Sequence, residues 1–557
     1  MDETTNPNRN QQSRRWLVLL GLLLAVLPIL AIGILDRPLA HPQTLTIAAA
    51  EDDRLKGTYY RGAQPFGVLL LEGFGSDQVT MTSLASAFAG NGWHVFTFDF
   101  SGHGRSPGAL TFDNAQTDRL ARQALAALQV FKRESGLRAD QIFVIGHSLG
   151  ARVALQSATL NPEKTAGIIL LGAQVNLSTN VQSEFFTGTS DTDLAWVQAL
   201  SPANPDLPVL LVSGAWDDIL TPQNAERLFR QLTKSPSGSA EGTEAEGRAA
   251  RELTILPVLL HNYEPFSPRV MRTINRWIEK QAVVTLTDSP AAVIRIGGWI
   301  VSLAGMFLIL IGGAKVGRAA ETSTREISTG GVVNLRRFLW GKLLLWLAAL
   351  PVSLVLGSLF FFLPLAKPVL NLIYGSFIGG YGILLLTLYA RGKMPGVSGR
   401  LWDNNGQDSG RRTGWRDILA VLAITAGMMV LTAAYARTGW FYVFPLNLRL
   451  AWLFIFTPFT ALGFWIGLRE GQLLPAKGWG RTASALIGLL PFFLYTLLMA
   501  GLGSLSGMVG GLQGLVILWL VLSFGNAIQA VGKRSWLTAV CMAVLLYWLI
   551  LPQSVLF

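Results

Sequence analysis

Five consecutive residues, Gly146-His147-Ser148-Leu149-Gly150, set a serine between two glycines. A β-rich run, Gln141-Ile-Phe-Val-Ile145, precedes them and a helical stretch follows, so the spacing G-x-S-x-G falls at a strand-to-helix turn too tight for larger flanking side chains. A serine held on such a turn is suited to attack a carbonyl. The same spacing recurs at Gly104-Arg-Ser106-Pro-Gly108, but that copy lies in a loop and Pro107 has no N–H to offer an oxyanion. Ser148 is therefore the candidate nucleophile.

A serine hydroxyl needs a base, and the chain has five histidines. His41 precedes the region of interest, His94 opens a strand, His103 sits in a loop and His147 is inside the turn itself. His261 remains. It follows the last β-rich run, Glu252-Leu-Thr-Ile-Leu256, at the carboxyl edge where α/β sites form. The base in turn needs a carboxylate to fix its tautomer, and behind an elbow of this kind the acid lies between serine and histidine in chain order. Val212-Ser-Gly-Ala-Trp-Asp217-Asp218 supplies two. Asp217 is favoured because it lies nearer the strand end, leaving Asp218 to cap the helix that begins near Thr221 or to face water. The oxyanion hole would combine the N–H of Leu149 with that of Phe74, in the loop Glu72-Gly73-Phe74-Gly75-Ser76.

These residues need a scaffold, and the stretch from His41 to Gln281 has the texture of one. The β-rich runs Phe66–Leu71, His94–Phe98, Gln141–Ile145, Ala166–Leu171, Pro208–Val212 and Glu252–Leu256 alternate with helical stretches at Val79–Ala89, Asn114–Glu134, Ala151–Leu160, Pro222–Leu232 and Pro268–Glu279. Such alternation implies a mostly parallel sheet with helices on both faces. Ser235–Ala250, rich in Gly, Ser and Glu, reads as a surface loop. Between Gly172 and Leu207 there is too little chain for a large lid domain, which predicts a fairly open site.

With these residues in view, the segment from about Leu45 to Gln281 resembles the α/β-hydrolase superfamily. Asn91-Gly-Trp-His-Val-Phe-Thr-Phe-Asp99-Phe-Ser-Gly-His103-Gly-Arg-Ser106 ahead of GHSLG is similar to the monoacylglycerol lipase and lysophospholipase-like branch, also called the serine aminopeptidase type. The resemblance covers somewhat under half of the chain. It implies a Ser/Asp/His hydrolase that works through an acyl-enzyme, with no metal or organic cofactor. Two positions depart from the pattern: Glu72-Gly73 stands where the family often has His-Gly, putting a charged group beside the oxyanion loop, and Gly150-Ala151 where it often has Gly-Gly.

The rest of the chain is apolar. Of 557 residues, 51% are hydrophobic and 14% charged, against roughly 25% charged in soluble domains, so part of the chain belongs in a membrane. A single cysteine, Cys541, excludes an internal disulfide framework. After a cytoplasmic tail at residues 1–15, Trp16–Leu35 is an uncharged run long enough to span, read as a signal anchor with a cleaved signal peptide as the alternative. The hydrolase-like segment (residues 41–281) follows. Residues 291–557 hold about eight further spans: Ile296–Gly313, Gly341–Leu363, Val369–Ala390, Ile418–Ala436, Leu450–Leu468, Thr482–Leu502, Met508–Phe524 and Trp536–Leu556. The architecture expected is thus an α/β-hydrolase fold joined to an all-α multi-pass domain.

Charge orients this architecture. The net charge of +11 divides into +1 through Ala40, −5 from His41 to Ser289 and +15 from Pro290 onward. If the N-terminus is cytoplasmic, alternate loops on that side collect Lys315, Arg318, Arg325, Arg336 and Arg337; Arg391, Lys393, Arg400, Arg411, Arg412 and Arg416; Arg469, Lys477 and Arg481; and Lys533 and Arg534. Only Arg295, Lys367, Arg437 and Arg449 fall on the other side. The positive-inside rule then places the hydrolase segment outside the cytoplasm, and the basic excess is an orientation signal that calls for no nucleic acid. The six acids after Pro290 all fall in or beside expected loops, and no histidine accompanies them, so proton-relay chemistry lacks its residues. The partners expected are the bilayer and an acyl ester or lipid-like substrate. An acyltransferase on the same residues, or a transporter or scaffold that uses the α/β segment for capture, is the alternative.

Overall fold

The computed structural model describes residues 7–49, 54–110, 115–161, 163–175, 206–233, 251–321, 334–398, 414–441, 447–474, 479–532 and 534–557, with 197, 198, 332 and 444. The Ser235–Ala250 loop, most of Gly172–Leu207, and Arg325, Arg400, Arg411, Arg412, Lys477 and Lys533 lie outside the described residues.

Eight strands form one sheet: β1 (Gln43–Ala48), β2 (Arg54–Tyr60), β3 (Gly67–Leu71), β4 (His94–Phe98), β5 (Ile142–His147), β6 (Gly167–Leu171), β7 (Val209–Gly214) and β8 (Arg251–Leu256). Their spatial order is β1-β2-β4-β3-β5-β6-β7-β8, with β1, β2 and β4 joined antiparallel and every later pairing parallel. Strands β3 to β7 are buried along their whole length, which is why they read as continuous apolar runs. Alternate side chains feed two cores: Leu69 and Leu71 join one, Val68 and Leu70 the other. Strands β1 and β2 were not among the expected runs. In β1 only Ile47 is buried, so the edge carries no apolar run to announce it.

The covering helices are α2 (Thr82–Gly90), α3 (Ala115–Ser135), α4 (Leu149–Leu160), α5 (Pro222–Thr233) and α6 (Pro268–Gln281), preceded by α1 (Pro7–Leu35). The membrane half follows as α7 (Ala291–Glu321), α8 (Leu335–Phe361), α9 (Val369–Ala390), α10 (Trp415–Arg437), α11 (Leu448–Leu473), α12 (Gly480–Gly488), α13 (Leu490–Gly501), α14 (Leu505–Gly532) and α15 (Ser535–Ile550). Among the described residues, seven helices are long and apolar enough to cross a membrane. They include α1 and six of the eight further spans expected. The span expected at Thr482–Leu502 is broken: α12 and α13 meet at 64°. Pro491, just after the break, has no N–H with which to continue the helix. The last expected span is a helix of 16 residues, short for a full crossing.

Successive helix ends alternate between two faces of the bundle, and one face carries the sheet domain. Arg449, in the first turn of α11, is buried and donates to Gly102 O (2.6 Å), Gly104 O (3.1 Å) and Ser554 O (2.8 Å). Arg295 near the start of α7 donates to Thr438 O after α10 and to Asp36 after α1. Two of the four basic residues that depart from the positive-inside pattern are thus engaged in structural contacts at this face.

One expectation about the membrane half is corrected here. Glu470 is not in a loop: it is fully buried in α11, accepting from Lys342 Nζ at 2.6 Å and from the Tyr389 hydroxyl at 3.0 Å. Ser484 Oγ and O also hold the Lys342 ammonium, at 2.8 and 3.0 Å. A charge inside the bundle is tolerated when it is paired and hydrogen-bonded, as both are. Gln513 of α14 reaches the sheet domain.

Candidate active site

Strand β5 ends at His147 and α4 begins at Leu149, leaving Ser148 alone on the turn with φ 54° and ψ −113°. A non-glycine residue in the left-handed half of the map is strained and needs its surroundings to hold it. They do. The Ser148 N–H donates to Leu171 O at 2.8 Å, and Ser148 O accepts from the N–H groups of Ala151 and Arg152, each at 3.1 Å. The flanking glycines are required by space: a Cβ on Gly146 would lie 2.2 Å from Gly150 O, and one on Gly150 would lie 2.4 Å from Glu72 O. Leu149 is the first residue of α4, so its N–H has no acceptor within the helix, and the helix N-terminus favours negative charge beside it.

The structure brings His261 and Asp217 together. His261 Nδ1 lies 2.8 Å from Asp217 Oδ2. Asp217 Oδ1 accepts from the N–H groups of Ile219 (2.9 Å) and Leu220 (2.7 Å), so the carboxylate is held from behind while its other oxygen faces the imidazole. A proton on Nδ1 directed at Asp217 leaves Nε2 as the basic nitrogen. Ser148, Asp217 and His261 are all buried. Asp218 does neither thing expected of it. Its carboxylate turns to the membrane half, accepting from Ser504 Oγ at 2.8 Å and from Ser506 N–H at 3.1 Å.

Two residues around this pair were not singled out from the sequence. His147 stands between the elbow and His261: its Nε2 donates to His261 O at 3.0 Å, and its ring lies 4.9 Å from that of His261. Burial, with the neighbouring His261, pushes its pKa down to about 3, so it is neutral and serves as a donor. Glu264, fully buried one turn after His261, accepts the Gly214 N–H at 2.9 Å. Burial and the Asp217 charge push its pKa well above the ordinary carboxyl value, so its approach of 3.7 Å to His147 is not an ion pair. The ligating atoms of His147, His261 and Glu264 lie within 4.8 Å of one another. One nitrogen of each imidazole is already engaged, His147 Nε2 with His261 O and His261 Nδ1 with Asp217 Oδ2. A lone glutamate in the stretch Asn262-Tyr263-Glu264-Pro265 that follows His261 carries no spacing from which its role could be read.

Glu72 is likewise corrected. It puts no charge beside the oxyanion loop, because its carboxyl is turned inward to accept the Phe100 N–H at 3.0 Å. Burial and the charges of Asp99 and Asp77 raise its pKa well above the ordinary carboxyl value. Phe74 occupies the turn just after it, its ring half-exposed against Phe557 at 5.8 Å. Ser106, the serine of the second G-x-S-x-G, is fully buried, donating to Asp99 O at 2.6 Å and accepting from Lys56 N–H at 2.9 Å. It is a structural serine.

The open site expected from the short connection between β6 and β7 is also corrected, because the membrane half covers the catalytic edge. Besides Asp218, Tyr263 OH accepts from Gln513 Nε2 at 2.7 Å, and Phe266 packs on Trp299 at 5.3 Å. Gly102 and Leu556 exchange main-chain contacts at 3.1 Å through Leu556 N–H and Gly102 O.

Comparison with known proteins agrees with this architecture. Residues 66–205 match the family described as serine aminopeptidase, S33. The chain is 32% identical over 117 residues to protein phosphatase methylesterase 1 of Candida albicans, covering 20% of this chain and 31% of that protein. It is 31% identical over 140 residues to lipase LipV of Mycobacterium tuberculosis, covering 25% of this chain and 48% of that one. The chain thus spans less than half the length of either. Among solved structures, the Pyrococcus furiosus esterase Pf2001 is similar at 16% identity and a TM-score of 0.34, over 43% of this chain and 92% of that one.

Proposed function

Proceeding from an α/β-hydrolase domain of the serine aminopeptidase S33 type over residues 66–205, we propose that the chain is a membrane-bound serine hydrolase that cleaves a carboxylic ester. The observation that carries this reading is the 2.8 Å contact of His261 Nδ1 with Asp217 Oδ2, beside a serine strained onto a strand-to-helix elbow. Ser148 Oγ attacks the ester carbonyl while His261 Nε2 takes its proton. Asp217 holds the imidazole in the tautomer that leaves Nε2 basic and stabilises the imidazolium that forms. The oxyanion is met by the N–H of Leu149, at the positive end of α4, and by that of Phe74. His261 then returns the proton to the departing alcohol, and water activated by the same base releases the acid from the acyl-enzyme.

The domain's place outside the cytoplasm rests on charge. The helix ends that meet it are poor in basic residues, and Arg336, Arg337, Arg391, Lys393 and Arg416 lie at or beside the opposite ends. The test of the chemistry is fluorophosphonate labelling of membranes bearing the full chain. The wild type should label, and Ser148→Ala and His261→Ala should not. A folded wild type that stays unlabelled, or labelling that survives Ser148→Ala, rejects the mechanism.

A further inference from the structure

Three of the loops assigned to catalysis are tied to the membrane half at, or within two residues of, the residue that acts. Beside Asp217, Asp218 accepts from Ser504 Oγ and from Ser506 N–H, so its carboxylate caps the N-terminus of α14 from outside the helix. Two residues after His261, Tyr263 is held by Gln513 of the same helix. On the oxyanion loop, the Phe74 ring packs at a tilt against Phe557. Ser506 and Gln513 are seven residues apart, two helical turns, and so lie on one face of α14. That face holds the acid and base loops. Leu512, Val516 and Trp519 follow helical spacing on the adjacent side of α14, Val516 about one turn beyond Gln513, where they are exposed as an apolar stripe. The rim on the sheet side is apolar too: Trp216 beside Asp217, Val258 before His261 and Phe74 are each about half-exposed, and Leu502 between α13 and α14 is exposed.

We propose that the hairpin of α13 and α14 is a wall of the active site, positioning the acid and base loops on one face of α14 and receiving the acyl chain of a bilayer-resident glycerolipid ester along the adjacent one. The proposal rests on the serine hydrolase reading given above. It assigns the membrane half a part in catalysis, because an acyl chain that leaves the bilayer along the exposed stripe stays in apolar contact up to Trp216 and Phe74. A water-soluble ester has no use for that path. The chemistry is unchanged: Ser148 forms the acyl bond as the glycerol oxygen leaves with the proton carried by His261, and water closes the cycle.

The experiment uses the full chain in vesicles of equimolar phosphatidylcholine and phosphatidylglycerol doped with a diacylglycerophospholipid that carries a fluorogenic acyl ester. Fluorophosphonate labelling of the same preparation is followed in parallel. Wild type should turn over the bilayer-borne ester with a higher kcat/KM than a water-soluble butyrate ester. Gln513→Ala should lower kcat on the lipid about tenfold, about 1.4 kcal/mol, within the range for contacting side chains. Gln513→Ala in a Tyr263→Phe background should add no further loss, which a general structural role for either residue would not produce. Preference for the soluble ester, or additive losses in the double variant, overturns the inference while labelling leaves the hydrolase reading standing. Absence of labelling removes both.

Discussion

Replacing Asp217 by asparagine changes one atom, and the structure dictates which way that atom points. Oδ1 accepts two N–H groups, from Ile219 at 2.9 Å and Leu220 at 2.7 Å. Only a carbonyl oxygen satisfies them, so the asparagine amide oxygen takes that position and its NH2 group faces His261 Nδ1, where Oδ2 stood at 2.8 Å. A donor there opposes the proton on Nδ1 and favours the tautomer with the proton on Nε2, which cannot accept from serine. The loss expected is about a thousandfold to ten-thousandfold in kcat, roughly 4 to 5.5 kcal/mol of transition-state stabilisation. Asp217→Ala leaves the tautomer unforced and should lose no more than the asparagine variant. The assay is initial-rate hydrolysis of a fluorogenic ester by the purified full chain, with thermal unfolding to show that both variants remain folded. An Asp217→Asn enzyme within about threefold of wild type, with Asp218→Asn carrying the thousandfold loss instead, would refute the assignment of the acid.

Burial makes three further predictions. Glu72 and Glu264 have pKa values raised in the folded state, so each binds a proton there that the unfolded chain releases above about pH 4.5, and stability falls as pH rises from that point. Glu72→Gln should therefore gain thermal stability over wild type at mildly alkaline pH and lose that advantage near pH 4, as read by unfolding at both. His103 and His147 run the other way: both are held down to about 3 against an ordinary value of 6.5, so the fold loses stability as pH falls through that window. Compared with a His103→Gln variant, wild type should lose stability between about pH 7 and pH 4, and a difference between the two that stays constant over that range would contradict this. Arg449→Ala strips three buried carbonyls of their donor, at Gly102, Gly104 and Ser554. It should cost about 3 kcal/mol or more and expose the loop at residues 102–110 to proteolysis, with Arg449→Lys failing to restore the three-way contact.

How far the sequence reaches depends on what kind of information each feature needs. Ser148 was legible because a tight turn demands glycines on both sides, and steric demand is local: Gly146 and Gly150 abut each other and the end of β3. His261 was legible because only one histidine follows the last buried strand. Between Asp217 and Asp218, sequence gave a preference through distance from the strand, but what separates them is orientation. One carboxylate is turned by the Ile219 and Leu220 N–H groups, and the other by Ser504, 286 residues later, at the head of α14. The covered catalytic edge, the inward turn of Glu72 and the pairing of Lys342 with Glu470 are long-range in the same way. They arise where the membrane half meets the sheet or where helices meet each other, and no local spacing encodes them. Strands β1 and β2 escaped for a different reason, since the sheet's exposed edge buries too little of β1 to impose a run of apolar residues.

The account stands most directly on the site of covalent attack. Purified full chain treated with a fluorophosphonate, digested and mapped by mass spectrometry should carry one adduct, on the peptide containing Ser148, and none in Ser148→Ala. An adduct on the peptide of Ser106, or a folded, unmodified protein, would contradict it.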